Sequence, residues 1–167
     1  GGIVSEVSLA TATSPQDIEA VKELVVEYAK TLPFDLGYQD FDGELASFPG
    51  KYAPPKGCLL LARVQGEAAG SVALRPLEDN IGEVKRLYVR PGFRGYGLGR
   101  RLVGDIVAFA RAAGYASLRL DTIRGLMAEA EKLYQSVGFR ECAAYYENPI
   151  EGAVYYELNF PQEPGRD

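Results

Sequence analysis

A glycine-rich run between two apolar segments is the part of the chain with the clearest chemical potential. It reads Arg94-Gly95-Tyr96-Gly97-Leu98-Gly99-Arg100-Arg101 and separates a strand-like segment from a helical pattern. Glycines let the main chain approach a ligand closely, and a helix N-terminus presents free N–H groups and the positive end of the helix dipole. The run therefore predicts a turn that binds a pyrophosphate, although a tight turn without a ligand would use the same glycines.

Two well-known nucleotide-binding motifs do not match this run. A P-loop continues from its last glycine into Lys and Ser or Thr, whereas Gly99 is followed by Arg100. The dinucleotide-binding fingerprint needs a further glycine where this chain has Leu102, and no βαβ repeat precedes the run. Both motifs are therefore excluded.

The chain contains no histidine, which limits the acid–base chemistry open to it. Ser-His-Asp and Cys-His nucleophiles are excluded, as are the commonest zinc and iron ligand sets. Cys58 and Cys142 lie far apart without a Cys-x-x-Cys pair, so we expect buried thiols and no metal site. Proton transfer must then depend on Glu, Asp, Tyr, Lys or Cys side chains.

The charge is distributed unevenly along the sequence. The net charge is −5, yet residues 85–111 contain seven basic residues and one acidic residue, Asp105, and so carry +6. A compact basic segment in an acidic chain favours a small polyanionic ligand over a nucleic acid, which needs a wider basic face. A solvated helix face with scattered ion pairs is the alternative interpretation.

Length and composition indicate one folded domain over residues 1–167. The hydrophobic fraction of 47% and the charged fraction of 25% are typical of globular proteins. No window approaches the roughly 18 apolar residues of a membrane span, and the N-terminus lacks the pattern of a signal peptide. We therefore expect a cytoplasmic protein with no membrane partner.

The spacing of apolar residues predicts the elements that would position the glycine-rich run. A helix over 14–32 starts with Ser14 as its N-cap and Pro15 at its first position. An aromatic-rich loop or broken helix over 31–56 is the predicted wall of a substrate site. Strands are predicted at 58–64, 70–77, 83–89, 117–122, 139–146 and 154–160, and helices at 98–113 and 126–137.

This order of elements predicts an α/β fold with a mixed sheet. Helix-connected strands in the middle imply parallel pairing there, and hairpins at both ends imply antiparallel pairing. In the strand over 83–89 the apolar residues do not alternate regularly. Val84 and Leu87 are three positions apart, whereas Leu87 and Val89 are two positions apart. That change in spacing indicates a β-bulge that would push neighbouring backbones apart.

Three stretches of the sequence resemble one known family. The run Arg94-Gly95-Tyr96-Gly97-Leu98-Gly99 is similar to the Arg/Gln-x-x-Gly-x-Gly/Ala signature of the GNAT superfamily of N-acetyltransferases. The flanking stretches Leu87-Tyr88-Val89-Arg90-Pro91 and Leu133-Tyr134-x-x-x-Gly138-Phe139 match as well, so the resemblance extends over about 58–139 in order and spacing.

The resemblance implies an acyl-CoA N-acyltransferase fold, in which a mostly antiparallel mixed sheet splays open between strands 83–89 and 117–122 and acetyl-CoA lies in the gap. The backbone of Leu87, Tyr88 and Val89 would pair with the pantetheine arm. The amides from Gly95 to Arg100 would bind the pyrophosphate, and Arg100 or Arg101 would reach the ribose 3′-phosphate. The resemblance thus implies a cofactor-binding set made of Leu87, Tyr88, Val89, Arg94, Gly95, Tyr96, Gly97, Leu98, Gly99, Arg100 and Arg101.

The resemblance also suggests roles in catalysis. Tyr134 matches the usual general acid of the family, with a half-buried structural tyrosine as the alternative. Glu83 stands where histone-acetylating members carry a catalytic Glu; the alternatives are solvent as the base and a carboxylate that merely pairs with Lys85 or Arg86. One position departs from the family pattern, since Met127 replaces an Asn that many members use to contact the cofactor.

The expected function is transfer of an acetyl group from acetyl-CoA to a primary amine of a small molecule or peptide, directly in a ternary complex and without a metal. A non-catalytic acyl-CoA-binding protein and a scaffold for an acidic partner are the alternatives.

The resemblance also bears on the partners of the chain. Dimers are common in this fold, and the C-terminal tyrosines are the candidate interface. The candidate site for a cationic amine, with a merely solvated acidic loop as the alternative, consists of residues of the aromatic-rich loop and near the C-terminal strands, namely Asp35, Asp40, Asp42, Glu44, Tyr145, Tyr146 and Asn148.

Overall fold

The computed structural model describes residues 6–161, and these form one mixed sheet flanked by helices. In chain order the strands are β1 Val7–Thr11, β2 Cys58–Val64, β3 Glu67–Glu78, β4 Ile81–Val89, β5 Ser117–Ile123, β6 Arg140–Cys142 and β7 Ala153–Asn159. Across the sheet they follow the order β1-β2-β3-β4-β5-β7-β6. Only β4 and β5 pair in parallel among these strands, which confirms the predicted mixed, mostly antiparallel sheet.

Helices cover both faces of this sheet. They are α1 Pro15–Thr31, α2 Phe41–Ser47, α3 Leu98–Ala112 and α4 Ala128–Val137. One core lies between the sheet and α1, and a larger core lies between the sheet and the helices α3 and α4. Among residues 6–161, no helix is long and apolar enough to cross a membrane.

The start of α1 shows how local sequence determines these elements. The Ser14 hydroxyl accepts a hydrogen bond from the Asp17 amide at 3.1 Å, and Pro15 follows at the first helical position. A capping hydroxyl satisfies an N–H group that has no partner within the helix, and proline lacks the N–H that would be free there. Helix α1 is confirmed by these contacts.

Two elements were not predicted from the sequence. Strand β1 is an edge strand that pairs only with β2, and its residues are half-buried or exposed. Its hydrophobic pattern is therefore short and weak. The second is α2, which lies with two 3₁₀ turns inside the segment 31–56 that was predicted to be a loop or broken helix.

The predicted bulge is present in β4 and coincides with the opening of the sheet. In the pairing with β3, Ser71 faces Tyr88 and Ala73 faces Lys85. The single residue of β3 between these positions therefore lies opposite two residues of β4. Arg86, inside the bulge, has a φ of 62°. On its other side β4 pairs with β5 only through Ile81–Glu83, which leaves the edge from Val84 onward unpaired. The sheet is thus splayed between β4 and β5, the place that the family resemblance implied.

Candidate active site

The glycine-rich turn between β4 and α3 presents backbone N–H donors that are open to a ligand. Gly95 and Gly97 have φ angles of 95° and 71°, in the region where side chains are strained, and a Cβ at either position would meet no atom within 4 Å. The N–H groups of six successive residues, Gly95 to Arg100, make no hydrogen bond within residues 6–161. The turn therefore presents the helix N-terminus and free amides to a negatively charged ligand.

Five of the seven cations of segment 85–111 form two groups. Arg94, Arg100 and Arg101 are exposed beside the turn and have no ion-pair partner in the described part of the chain. Arg86 and Arg90, by contrast, form ion pairs with Glu44 at 2.9 Å and Glu27 at 3.0 Å. The interpretation of the whole segment as a surface for a polyanion was therefore too broad, because part of the segment stabilises the fold.

A cavity lies at the splay between β4 and β5. Its wall is formed by the end of α1 and the loop that follows, by residues 84–87 of β4, by residues 121–123 of β5 and by α4 with the turn before it. The first part of segment 31–56 thus lines the cavity through Phe34, Leu36, Tyr38 and Gln39. The free edge of β4 borders the cavity and leads from it towards the glycine-rich turn.

Tyr134 reaches this cavity from α4. Its side chain belongs to the larger core, packs edge-on against Phe139 with ring centroids 5.7 Å apart, and lines the cavity. Within residues 6–161 its hydroxyl makes no hydrogen bond. Burial raises the pKa of the phenol above its ordinary value. The group is therefore a protonated hydroxyl that is free to donate.

Lys85 and Asp121 lie on the cavity wall contributed by β4 and β5. The Lys85 ammonium donates to the side-chain oxygen of Gln39 at 2.8 Å, and only 6% of the residue is exposed. Asp121 accepts hydrogen bonds from the hydroxyl of Tyr146 and, at 2.8 Å, from the side-chain amide of Asn148. Burial lowers the pKa of Lys85 to about 8, against the opposing attraction of Glu83.

An ion pair anchors α2 to the bulge. Arg86 donates two hydrogen bonds to the Glu44 carboxylate at 3.1 and 2.9 Å, and its guanidinium lies 5.3 Å from the centre of the Phe41 ring. Both charged side chains are nearly buried, at 4% and 10% exposed. Glu44 is thereby neutralised by Arg86.

The aspartates of the aromatic-rich loop do not line the cavity. Asp35 accepts a hydrogen bond from the Gly37 amide, and Asp40 and Asp42 lie at the start of α2.

The tyrosines of the C-terminal strand β7 are buried, since Tyr155 and Tyr156 are 7% and 1% accessible. The surface expected from these tyrosines at a dimer interface is therefore already packed within the chain.

Glu83 is the last residue of β4 that pairs with β5. It lies beside the cavity but outside its lining. Its two oxygens accept from the Arg75 guanidinium at 2.9 Å and from the Tyr145 hydroxyl at 2.6 Å. Burial alone would raise the pKa of Glu83, but the charges of Lys85 and Arg75 and these hydrogen bonds hold the pKa below its ordinary value. The geometry favours a structural ion pair, with Arg75 as the partner rather than Lys85 or Arg86.

The comparisons with known proteins agree with this architecture. The model of the acetyltransferase (GNAT) family matches residues 19–139, about three quarters of the chain. The chain belongs to the GNAT family. A Schizosaccharomyces pombe relative, named as an uncharacterised N-acetyltransferase, is 43% identical over 156 residues, which cover 92% of this chain and 95% of the relative.

Two further comparisons add a relative that is named for its product and a structure solved with a ligand. The N-acetylaspartate synthetase of Danio rerio is 37% identical over 99 residues, covering 58% of this chain and 35% of that protein. The PaiA N-acetyltransferase of Thermoplasma acidophilum, solved in complex with coenzyme A, superposes with a TM-score of 0.66 at 16% identity and covers 93% of this chain and 99% of that one. At that identity the second comparison establishes the fold.

Sequence reasoning did not identify Lys85, Asp121 or Gln39 as site residues. Lys85 was counted with the basic segment, although it stands within a strand predicted to be central, where a lysine is rarely buried without a partner. That conflict between residue type and position was the available signal. Asp121 stands near the end of a predicted strand and carried no comparable signal.

Replacing Glu83 by glutamine is expected to lower the free energy of unfolding by roughly 1–3 kcal/mol, because a neutral amide cannot match two hydrogen bonds made to a buried carboxylate. Denaturant unfolding at neutral pH measures this loss. The pKa of Glu83 is lowered in the folded chain. Its stabilisation is thus present above the ordinary carboxyl pKa and is lost as the pH falls through the folded value, so the two proteins should converge in acid.

The control is Glu78→Gln, which weakens a similar pair with Arg119 at 3.0 Å in which the Glu78 side chain is 59% exposed. Exposed pairs contribute about 0–1 kcal/mol, so this variant should remain close to the wild type. Equal losses in the two variants would contradict the structural role assigned to Glu83.

Proposed function

We propose that this GNAT protein transfers an acetyl group from acetyl-CoA to a primary amine in a ternary complex. The observation that carries the proposal is the row of free amides from Gly95 to Arg100, which lies at the end of an unpaired strand edge that borders a cavity. Besides its adenosine 3′-phosphate, acetyl-CoA contains a diphosphate, an extended amide-bearing arm and a thioester. The turn, the strand edge and the cavity complement them in that order.

The residues proposed to bind the cofactor fit this assignment. The turn formed by Arg94, Gly95, Tyr96, Gly97, Leu98 and Gly99 would bind the diphosphate through its free amides, and Arg100 and Arg101 would pair with the remaining phosphate. The backbone of Leu87, Tyr88 and Val89 would pair with the pantetheine amides as an added strand does. No Cβ obstructs the approach at Gly95 or Gly97.

An amine that arrives charged loses two protons, one before its nitrogen can attack and one as the amide forms, and the sulfur gains one. The amine nitrogen bonds to the acetyl carbon as the carbon–sulfur bond of the thioester breaks, and the sulfur gains a proton. We assign that proton to the Tyr134 hydroxyl, which is buried in the cavity wall and engaged by no other described residue. The phenol would regain its proton from solvent.

The protons leaving the amine go to solvent or to Glu83. A direct role for Glu83 is disfavoured by its geometry, because Arg75 and Tyr145 already occupy both oxygens. A role as base would require a water molecule between the amine and the carboxylate. The two alternatives differ in the turnover of Glu83→Gln, which falls steeply only if the carboxylate accepts a proton.

The proposal is tested by calorimetric titration with acetyl-CoA, followed by release of free thiol from acetyl-CoA over a panel of amines. Saturable binding at one site and amine-dependent thiol release are the expected results. Tight binding with no thiol release for any amine would instead support a non-catalytic acyl-CoA-binding protein. No binding by the folded protein would remove the proposed function.

A further inference from the structure

Lys85 is a buried cation that forms no direct ion pair with any described residue, although Glu83 and Asp121 lie near enough to attract it. It is 6% exposed, and its ammonium makes one hydrogen bond, to the Gln39 side chain, with no ion pair to any residue of the described range 6–161. An ammonium has three donors, so two remain available. Burying a charge is costly unless it is paired, and such a charge at a cavity wall favours an anionic ligand.

The other charges near the cavity are already compensated or carry the opposite sign. Arg86 is neutralised by Glu44, and Glu83 is engaged by Arg75 and Tyr145. Asp121 uses one carboxylate oxygen for Tyr146 and Asn148, and its other oxygen has no hydrogen-bond partner among the described residues. Counting only residues 6–161, the cavity therefore offers one available cation and one available anionic oxygen.

We propose that the acceptor of this acetyltransferase is an amine that also carries a carboxylate, which Lys85 binds. The assignment rests on the proposed function and adds the acceptor class to it. The carboxylate pairs with the Lys85 ammonium, and the amine, in its charged form before reaction, lies towards the free oxygen of Asp121. Gln39 orients the lysine through its hydrogen bond.

The sheet separates the proposed acceptor contacts from the proposed acid. Lys85 and Gln39 lie on the face covered by α1 and α2, whereas Tyr134 belongs to the core beneath α3 and α4. The cavity between β4 and β5 contains residues of both faces. An acceptor can thus enter from the α1 face and meet the thioester in the splay.

Matched pairs of acceptors test this inference without any mutation. The probes are glycine with glycinamide, and L-aspartate with its two monoamides, L-isoasparagine and L-asparagine. Since a charge-assisted hydrogen bond is lost in the amide, kcat/KM should be at least about tenfold higher for the acid that binds Lys85. The two aspartate monoamides show which carboxylate is recognised. Peptides bearing the same carboxylate distinguish a free amino acid from a chain terminus.

The variant Lys85→Met removes the charge and keeps the length of the side chain. We expect the KM of the carboxylate acceptor to rise about tenfold while kcat stays within about threefold, and the preference for acid over amide to disappear. Lys85→Arg should retain part of the preference. Lys132→Met is the matched control, because Lys132 lies on α4 with its side chain 75% exposed.

Direct binding separates this inference from the proposed function. Calorimetry with N-acetylglycine and N-acetyl-L-aspartate, in the presence of coenzyme A, measures carboxylate binding even if no amine is acetylated. Binding that is lost in Lys85→Met and kept in Lys132→Met supports the inference independently of turnover. Equal use of acids and amides by the wild type, or an unchanged preference in Lys85→Met, overturns it.

Discussion

Replacing Tyr134 by phenylalanine is expected to lower kcat by about 100-fold, the usual contribution of a positioned general acid. The hydroxyl is the only atom removed, and it has no hydrogen-bond partner among residues 6–161, so the fold should lose little stability. Burial raises the pKa of the phenol, which keeps the proton available at neutral pH. The dissociation constant of acetyl-CoA should remain near the wild-type value. Steady-state kinetics and calorimetry measure the two quantities separately.

Tyr115→Phe is the matched control for this experiment. Tyr115 is also buried, but its hydroxyl donates to the Lys56 carbonyl at 2.8 Å and does not line the cavity. Its removal should cost about 1 kcal/mol of stability and leave kcat unchanged. If Tyr134→Phe turned over as fast as the wild type, Tyr134 would have no part in the proton transfer.

Gly97→Asp is expected to weaken acetyl-CoA binding by at least about 100-fold. The new carboxylate would stand beside the proposed diphosphate, where like charges cost several kcal/mol and each tenfold loss corresponds to about 1.4 kcal/mol. It would also accept hydrogen bonds from the free amides at the start of α3 and so compete with the ligand. Because Gly97 has a φ of 71°, the substitution adds backbone strain of about 1–2 kcal/mol.

The control for charge is Gly104→Asp, on the same helix but away from its N-terminus. Gly104 is exposed, and a Cβ there would meet no atom within 4 Å. This variant adds the same negative charge and should bind acetyl-CoA nearly as the wild type does. Unchanged binding by a folded Gly97→Asp protein would show that the glycine-rich turn serves only to connect β4 to α3.

Features that depend on neighbouring residues were predicted well. The cap of α1 at Ser14, the glycine-rich turn before α3 and the bulge near Leu87 are each encoded within a few positions. Backbone sterics and hydrogen bonds to adjacent groups determine them, so spacing and residue type suffice. The resemblance to the GNAT family depended on the same local stretches, and the splay of the sheet followed from it.

Charge pairing across the fold could not be predicted in the same way. Arg86 pairs with Glu44, 42 positions away, and Arg90 with Glu27, 63 positions away. A sequence shows how many charges exist, but not which of them are neutralised, because each charged residue has many possible partners. The acidic loop was therefore a candidate for binding a cation, whereas the structure buries the cation Lys85 with no direct ion pair to any described residue.

The sequence by itself determined the order of most elements, the glycine-rich turn and the family. Tertiary structure alone decided the electrostatic character of the cavity, including the burial of Lys85 without a direct ion pair among residues 6–161 and the engagement of Glu83 by Arg75. The physical reason is that backbone conformation responds to nearby residues, whereas the energy of a charge depends on its burial and on the sign of whatever the fold brings beside it.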